Sequence, residues 1–402
     1  IKMQVGEQDR GELQVNVTDS DNAPIRDARV TISEPETAIN PNSPIERLET
    51  DVSGQTQIVD LNTPPLEYSL NENNENMPYA NYNIQIEVPG YETENIRNVE
   101  ILPDSLSLQN VRMRKREGEQ VENIDIDPHT LYAEYPEKIP EDEIKDVNEP
   151  GEIVLSRVVI PEYVVVHDGT PSSNARDYYV TYKDYIKNVA SSEIYATWPR
   201  ATIEANVLAI MSFTLNRVYT EWYRNKGYDF TITSSTAYDQ KWIYGRNIFQ
   251  SIDEVVDEIF DQYLSRPDVR QPILTQYCDG KNVSCPNWLS QWGSKALGDQ
   301  GYTAIEILRN YYGDSIYINS TDEISGIPSS YPGSPLRVGD SGEKVRQMQR
   351  QLNVISNAYP LIPKIAEDGV FGPATEEAVK TFQRIFGLTQ DGIVGFRTWY
   401  KI

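Results

Sequence analysis

The stretch Asp368-Gly-Val-Phe-Gly372-Pro-Ala-Thr375, echoed by Asp391-Gly-Ile-Val-Gly395-Phe-Arg-Thr398, decides how the fold is read. The two turns form an internal repeat: each glycine permits a tight bend, and each threonine is placed to cap the helix that follows. Ahead of the first turn, Leu336-Arg-Val-Gly339-Asp-Ser-Gly342 leads into a run with Val345, Met348, Gln349 and Leu352 on one helical face. Ala378, Val379, Phe382 and Gln383 do the same between the turns. The spacing i, i+3, i+4, i+7 predicts an all-α, three-helix domain over 336–402.

Working outward, the Gly/Ser/Pro-rich joint 326–335 separates this domain from an α/β domain over 152–325. That domain is expected to mix strands (Ile153–Val159, Tyr163–Val166, Asp229–Thr233) with helices near 199–224, 252–264, 289–299 and 303–312. Residues 1–115 carry alternating runs such as Leu13-Gln-Val-Asn-Val17 and Tyr82-Asn-Ile-Gln-Ile-Glu-Val88, broken by turn residues. This is the pattern of an antiparallel β-sandwich. Between the two, 116–151 is acidic and holds Pro128, Pro136, Pro140 and Pro150 behind the basic cluster Arg112, Arg114, Lys115 and Arg116. Such a segment is expected to be extended and exposed, either as a plain tether or as a site of proteolytic processing. A chain of 402 residues is therefore read as multidomain.

A net charge of −25 excludes nucleic acid as a partner, since phosphate binding needs clustered cations. No run reaches the roughly 18 apolar residues of a membrane span, so no membrane partner is expected. The chain opens on Ile1 without the charged and apolar runs of a targeting segment. Cys278 and Cys285 could close one small disulfide, remain free thiols, or give half of a zinc site; zinc needs about four ligands, and the only histidines are His129 and His167. No metal and no cofactor is expected.

In the middle domain, Thr197-Trp-Pro-Arg-Ala-Thr-Ile-Glu204-Ala-Asn-Val-Leu-Ala-Ile-Met reads as a helix, with Thr197 as a possible cap and Pro199 near its first turn. It is apolar nearly all round, so Glu204 is expected to be a lone buried carboxylate whose pKa desolvation raises. A protonated acid is what glycosidic cleavage needs. The other reading of Glu204 is a structural ion pair with Arg200 or Arg217.

Three resemblances add to this reading. Residues 336–402 resemble the peptidoglycan-binding type 1 family, which implies a module that holds glycan or stem peptide and concentrates an attached enzyme on the wall. The order Gly11, Val15, Asp19, Pro24, Ala28, Val30, Asp51, Gly54, Tyr82, Gly90-Tyr91 resembles carboxypeptidase regulatory-like sandwiches. Trp198-Pro199 and Glu204-Ala205, with Pro286-Asn-Trp-Leu-Ser290-Gln291-Trp292-Gly293 and Gly301–Gly313, resemble the SpoIID domain of sporulation wall-cleaving enzymes. Asn206-Val207 and Ala209 stand where that family has Leu-Lys and Gln, and Cys285 falls near its histidine.

With the segment Val164-Val-Val-His167-Asp-Gly-Thr-Pro171, the whole chain is similar to the clostridial spore cortex-lytic enzymes in their pro-form. The resemblance implies an extracytoplasmic protein of the spore cortex and coat region, acting on cortex peptidoglycan and activated by a subtilisin-like Csp germination protease. It implies lytic transglycosylation with Glu204 as acid and then base, and Tyr238, Tyr277, Ser290, Gln291 and Trp292 as substrate-binding residues. Hydrolysis of the same bond would use a second carboxylate, for which Asp239 and Asp279 are available. A non-catalytic wall-binding protein is the reading from another class.

Overall fold

The computed structural model describes residues 8–35, 44–118, 121–146, 154–325 and 331–402. The linker 116–151, the strand expected from Ile153 and the joint 326–335 each fall partly outside these residues. The N-terminal third is a sandwich of two sheets. One has the order Ile248–Phe249, Leu106–Arg112, Asp9–Thr18, Val59–Thr63; the other runs Pro44–Glu49, Arg29–Ser33, Ala80–Glu87, Thr93–Ile101, Val121–Asp125. Alternation does the work: Leu13, Val15 and Val17 are sealed inside while their neighbours face out.

Two features depart from an antiparallel sandwich ending at 115. Asp9–Thr18 pairs in parallel with Leu106–Arg112, and Thr93–Ile101 in parallel with Val121–Asp125, so the sheets are mixed. The strand Val121–Asp125 extends the sandwich into the acidic segment, and Ile248–Phe249 is contributed by the middle of the chain. Beside that borrowed strand Arg246 donates to Glu100 at 2.8 Å, both side chains being at most 1% exposed. Asn247 donates to the carbonyl of Glu100, and Gln109 to that of Gly245.

The middle domain is organised around the helix Arg200–Tyr219, sixteen of whose twenty residues are buried. Tyr182–Glu193, Gln250–Ile259, Gln291–Asp299, Ala304–Tyr312 and the strand Gln262–Ser265 surround it. Its polar residues are consumed inside: Ser212 donates to the carbonyl of Ile273, and Thr275 to that of Ala209. Thr197 does not cap this helix; Pro199 stands at the cap position, and the Thr197 hydroxyl pairs with Ser69 at 2.8 Å. Residues 154–159 form no strand, Tyr163–His167 pairs with Asp177–Thr181 and Ile232–Thr233, and the helix Tyr182–Glu193 had no counterpart in the expected pattern.

Residues 336–402 hold the helices Glu343–Ile355, Pro373–Ile385 and Phe396–Trp399 over one core. The repeat is wired twice in the same way. Gln349 donates to Asp368, to the carbonyl of Val370 and to Thr375, and accepts from the Gly369 amide. Gln383 does so with Asp391, Ile393, Thr398 and Gly392. Thr375 and Thr398 are therefore buried acceptors for glutamine, while Gly372 and Gly395 occupy the cap positions. The domain docks on the middle one through Phe260 against Phe396 and Tyr400, with Lys401 3.2 Å from Asp257.

Candidate functional site

Two of the five residues expected to bind substrate, Tyr277 and Gln291, converge on a different carboxylate from the one expected to act. Glu193 ends the helix Tyr182–Glu193, whose start is capped by Thr181 accepting from the Asp184 amide. Its side chain is fully buried. It accepts from the Lys241 amide at 2.8 Å, from Gln291 Nε2 at 3.2 Å and from the Tyr277 hydroxyl at 3.4 Å. Burial first and the Glu193 charge second push the Tyr277 hydroxyl well above its ordinary range, so it stays a donor.

The local fold explains why Tyr277 and Gln291 meet there. Tyr277–Cys278 pairs in parallel with Leu289–Ser290, which sets both residues side by side. Ser290 then caps the helix Gln291–Asp299, its hydroxyl accepting from the Gly293 amide at 3.0 Å. The intervening loop is closed by a Cys278–Cys285 disulfide and wound about Asp279, which accepts from the amides of Lys281, Asn282 and Val283. Gly280 has φ +78° and lies where any Cβ would strike the Ser290 hydroxyl. Ser290 thus positions Gln291, and Trp292 packs behind the site against Trp198 and Tyr195. Tyr238 is partly exposed, and its carbonyl accepts from Arg217.

Glu204 sits apart from this group. It is half-buried, not encased, and has no hydrogen bond or ion pair with a described residue. Nor does it pair with either arginine: Arg200 holds Glu258, and Arg217 holds Asp239 and Glu141. Asp239 is buried under Arg217, Tyr223 and Thr233. Nothing in the sequence flagged Glu193, because its burial comes from segments 48 to 98 residues further along the chain.

The acidic segment expected to be an exposed tether covers this site. Residues 128–146 are extended, but they lie in a groove of the middle domain. The Lys138 ammonium is 4.3 Å from the centre of the Tyr277 ring and donates to the Asp239 carbonyl at 3.1 Å. Burial draws its pKa below the usual lysine value, and the charges of Glu193 and Asp239 push back. The Tyr135 hydroxyl is buried without a hydrogen-bond partner among the described residues, and burial, Glu193 and Asp279 together push its pKa up.

Along the rest of the segment the backbone is paired almost step by step. Ile139 N donates to the Ala237 carbonyl, Leu274 N to that of Glu143, and Gln276 and Gln271 bridge Ile139 with Glu141 and both sides of Lys145. His129 anchors its start, bonding to the Ile194 carbonyl at 3.1 Å. The other histidine, His167, pairs with Asp177 at 2.7 Å in a hairpin.

Comparison with known proteins bears on the C-terminal end of the molecule. Residues 341–402 match the family described as "Putative peptidoglycan binding domain". The chain is 40% identical over 86 residues to a zinc D-Ala-D-Ala carboxypeptidase of Streptomyces albus G, covering 21% of this chain and 32% of that protein. It is 25% identical over 230 residues to the N-acetylmuramoyl-L-alanine amidase CwlL of Bacillus licheniformis, covering 56% of this chain and 60% of the amidase. The chain thus spans less than two thirds of either relative. Among solved structures, the minor pilin GBS52 of Streptococcus agalactiae matches with 17% identity and a TM-score of 0.20, over 28% of this chain and 48% of the pilin. The C-terminal residues carry a peptidoglycan-binding domain, on a chain related in part to proteins that act on the cell wall.

Proposed function

We propose that this chain is a spore cortex-lytic enzyme resembling SleC, which cleaves the glycan strands of peptidoglycan as a lytic transglycosylase and is held latent by residues 128–146. The observation that carries the reading is the convergence of Tyr277 and Gln291 on buried Glu193, beneath Tyr135 and Lys138. Glu193 protonates the leaving oxygen of the muramic acid to glucosamine bond. It then takes the proton of the sugar's own 6-hydroxyl as that oxygen attacks the anomeric carbon, leaving a 1,6-anhydro end. One carboxylate serves both steps, whereas hydrolysis would use a second one about 5–5.5 Å away for retention or about 6.5–9.5 Å away for inversion. Glu204 remains the other assignment of the acid, supported by its place in the SpoIID-like helix.

On this reading the protein is extracytoplasmic, its C-terminal domain holds it on cortex peptidoglycan, and a subtilisin-like Csp protease cuts the acidic segment. Deleting residues 1 to about 115 is a poor test, because Ile248–Phe249 and Arg246 would lose their partners in the sandwich. The better one cuts the chain at a site inserted between residues 147 and 153 and separates the soluble products released from purified cortex. Anhydro-muramic ends are the expected result; new reducing ends would sink transglycosylation, and free stem peptides would move the reaction to the amidase class. Glu193→Gln should abolish release and Glu204→Gln should leave it; the reverse pattern returns the acid to Glu204.

A further inference from the structure

We propose that Arg217 and Arg266 form a carboxylate-binding subsite for the acidic stem peptide of the wall polymer, and that Glu141 and Glu143 occupy it as internal stand-ins. The inference rests on the wall-degrading reading above and adds the part of the polymer that the groove takes.

Both arginines grip the acidic segment in the same way. Arg217 holds the two carboxylate oxygens of Glu141 with Nη1 and Nη2, and Arg266 holds those of Glu143 with Nε and Nη2. Such fork-to-fork pairs are the strong, geometrically specific form of carboxylate recognition. Hydrogen bonding and charge from Arg217 and Lys145 outweigh burial and hold the Glu141 carboxyl below its ordinary range.

Each guanidinium is also held by the middle domain itself. Arg217 Nε donates to Asp239 at 2.7 Å and its Nη2 to the Tyr238 carbonyl at 3.1 Å. Arg266 donates to the Tyr312 carbonyl at 2.6 Å and to the Ser315 hydroxyl. When residues 128–146 leave, both forks keep their orientation and lose only the carboxylates.

The occupant is a peptide because the groove already binds one by its main chain. Carbonyls and amides at Ile139, Glu141, Glu143 and Lys145 pair with Ala237, Gln271, Leu274 and Gln276. Sugar rings offer no run of main-chain amides, whereas a stem peptide offers one together with the free carboxylates of its glutamyl and diaminopimelyl residues. In a chain of net charge −25, two arginines aimed into one groove select for an anion.

The test measures binding of an acidic stem tripeptide, alanyl-γ-glutamyl-diaminopimelate, to the full chain cut between 147 and 153 and carrying E141Q and E143Q. The tripeptide should bind this protein and not the uncut native chain. R266Q should weaken it about tenfold, equivalent to about 1.4 kcal/mol, with R217K as a second variant that keeps the charge but loses the fork. The tripeptide with its carboxylates amidated should not bind. Equal binding by R266Q and its parent, or equal binding of the amidated peptide, overturns the subsite. Since no cleavage is read, a chain that binds the tripeptide but releases nothing from cortex defeats the proposed reaction and leaves the subsite standing.

Discussion

In the C-terminal module, Gln349 and Gln383 each tie down a turn between 8 and 26 residues away. In the middle domain, Tyr277 and Gln291 reach Glu193 across 84 and 98 residues, and Lys138 reaches Asp239 across 101. Both are buried polar networks, in which an unpaired group is costly, and the second leaves the Tyr135 hydroxyl and Gln291 Oε1 without a hydrogen-bond partner among the described residues. The first is closed by neighbours and forms with its own helices. The second closes only when five separated segments are in place, and one of those segments is the stretch that the proposed activation would displace. On the proposed reading, short-range wiring suits a permanent anchor and long-range wiring suits a site that opens.

The largest effect that would sharpen this contrast is chemical. In the cut chain, Glu193→Gln should lower release of cortex fragments by about 10²–10⁴-fold while wall binding, measured by sedimentation with cortex, is unchanged. Next comes Arg217→Ala, which strands Asp239 and Glu141 without their cation. Urea unfolding of the full chain should show a loss of about 3–5 kcal/mol confined to the middle-domain transition.

Gln383→Ala leaves the Gly392 amide and the Ile393 carbonyl unpaired and should cost the C-terminal module about 1–3 kcal/mol. If the same variant also shifted the middle-domain transition, the two regions would not be separate units and the comparison would break.

The smallest effect is a pH dependence at the start of the acidic segment. Burial first, then the Arg246 charge, lowers the His129 pKa to about 3, against about 6.5 for a free imidazole. The folded state therefore holds the neutral ring. The stability this gives is complete above about 6.5 and is lost as pH falls toward about 3. Limited proteolysis of residues 128–146 should accelerate over that interval in the native chain and much less in His129→Gln.

What could be read from the chain follows the same division. The C-terminal domain was legible because its helical faces and its repeated Asp-Gly turns lie next to each other. The sandwich was legible strand by strand through alternation, but not its parallel pairings, one of which joins strands about ninety residues apart and the other of which reaches into the acidic segment. Four helices of the middle domain were expected from the sequence, the one at Arg200–Tyr219 because it is apolar nearly all round. Tyr182–Glu193 was not, since Lys187, Asn188, Ser191, Ser192 and Glu193 all point inward, Lys187 to Asp253 and Asp257 at 2.8 Å. Tyr277 and Gln291 were named through resemblance, but the carboxylate they serve was not. Composition described the acidic segment as extended and exposed, and most of its residues are; only tertiary partners could reveal that His129, Tyr135, Lys138 and Lys145 are buried against the middle domain.

The strand Ile248–Phe249, lent to the sandwich beside Leu108 and Ser107, has a consequence for biosynthesis. During translation, at about 5–20 residues per second, Ile248 follows Leu108 by roughly 7–30 s. For that interval the nascent N-terminal third presents a bare sheet edge and the Glu100 carboxylate without its arginine. The newborn sandwich therefore completes this edge only after the ribosome has delivered Ile248–Phe249, which couples its folding to that of the middle domain.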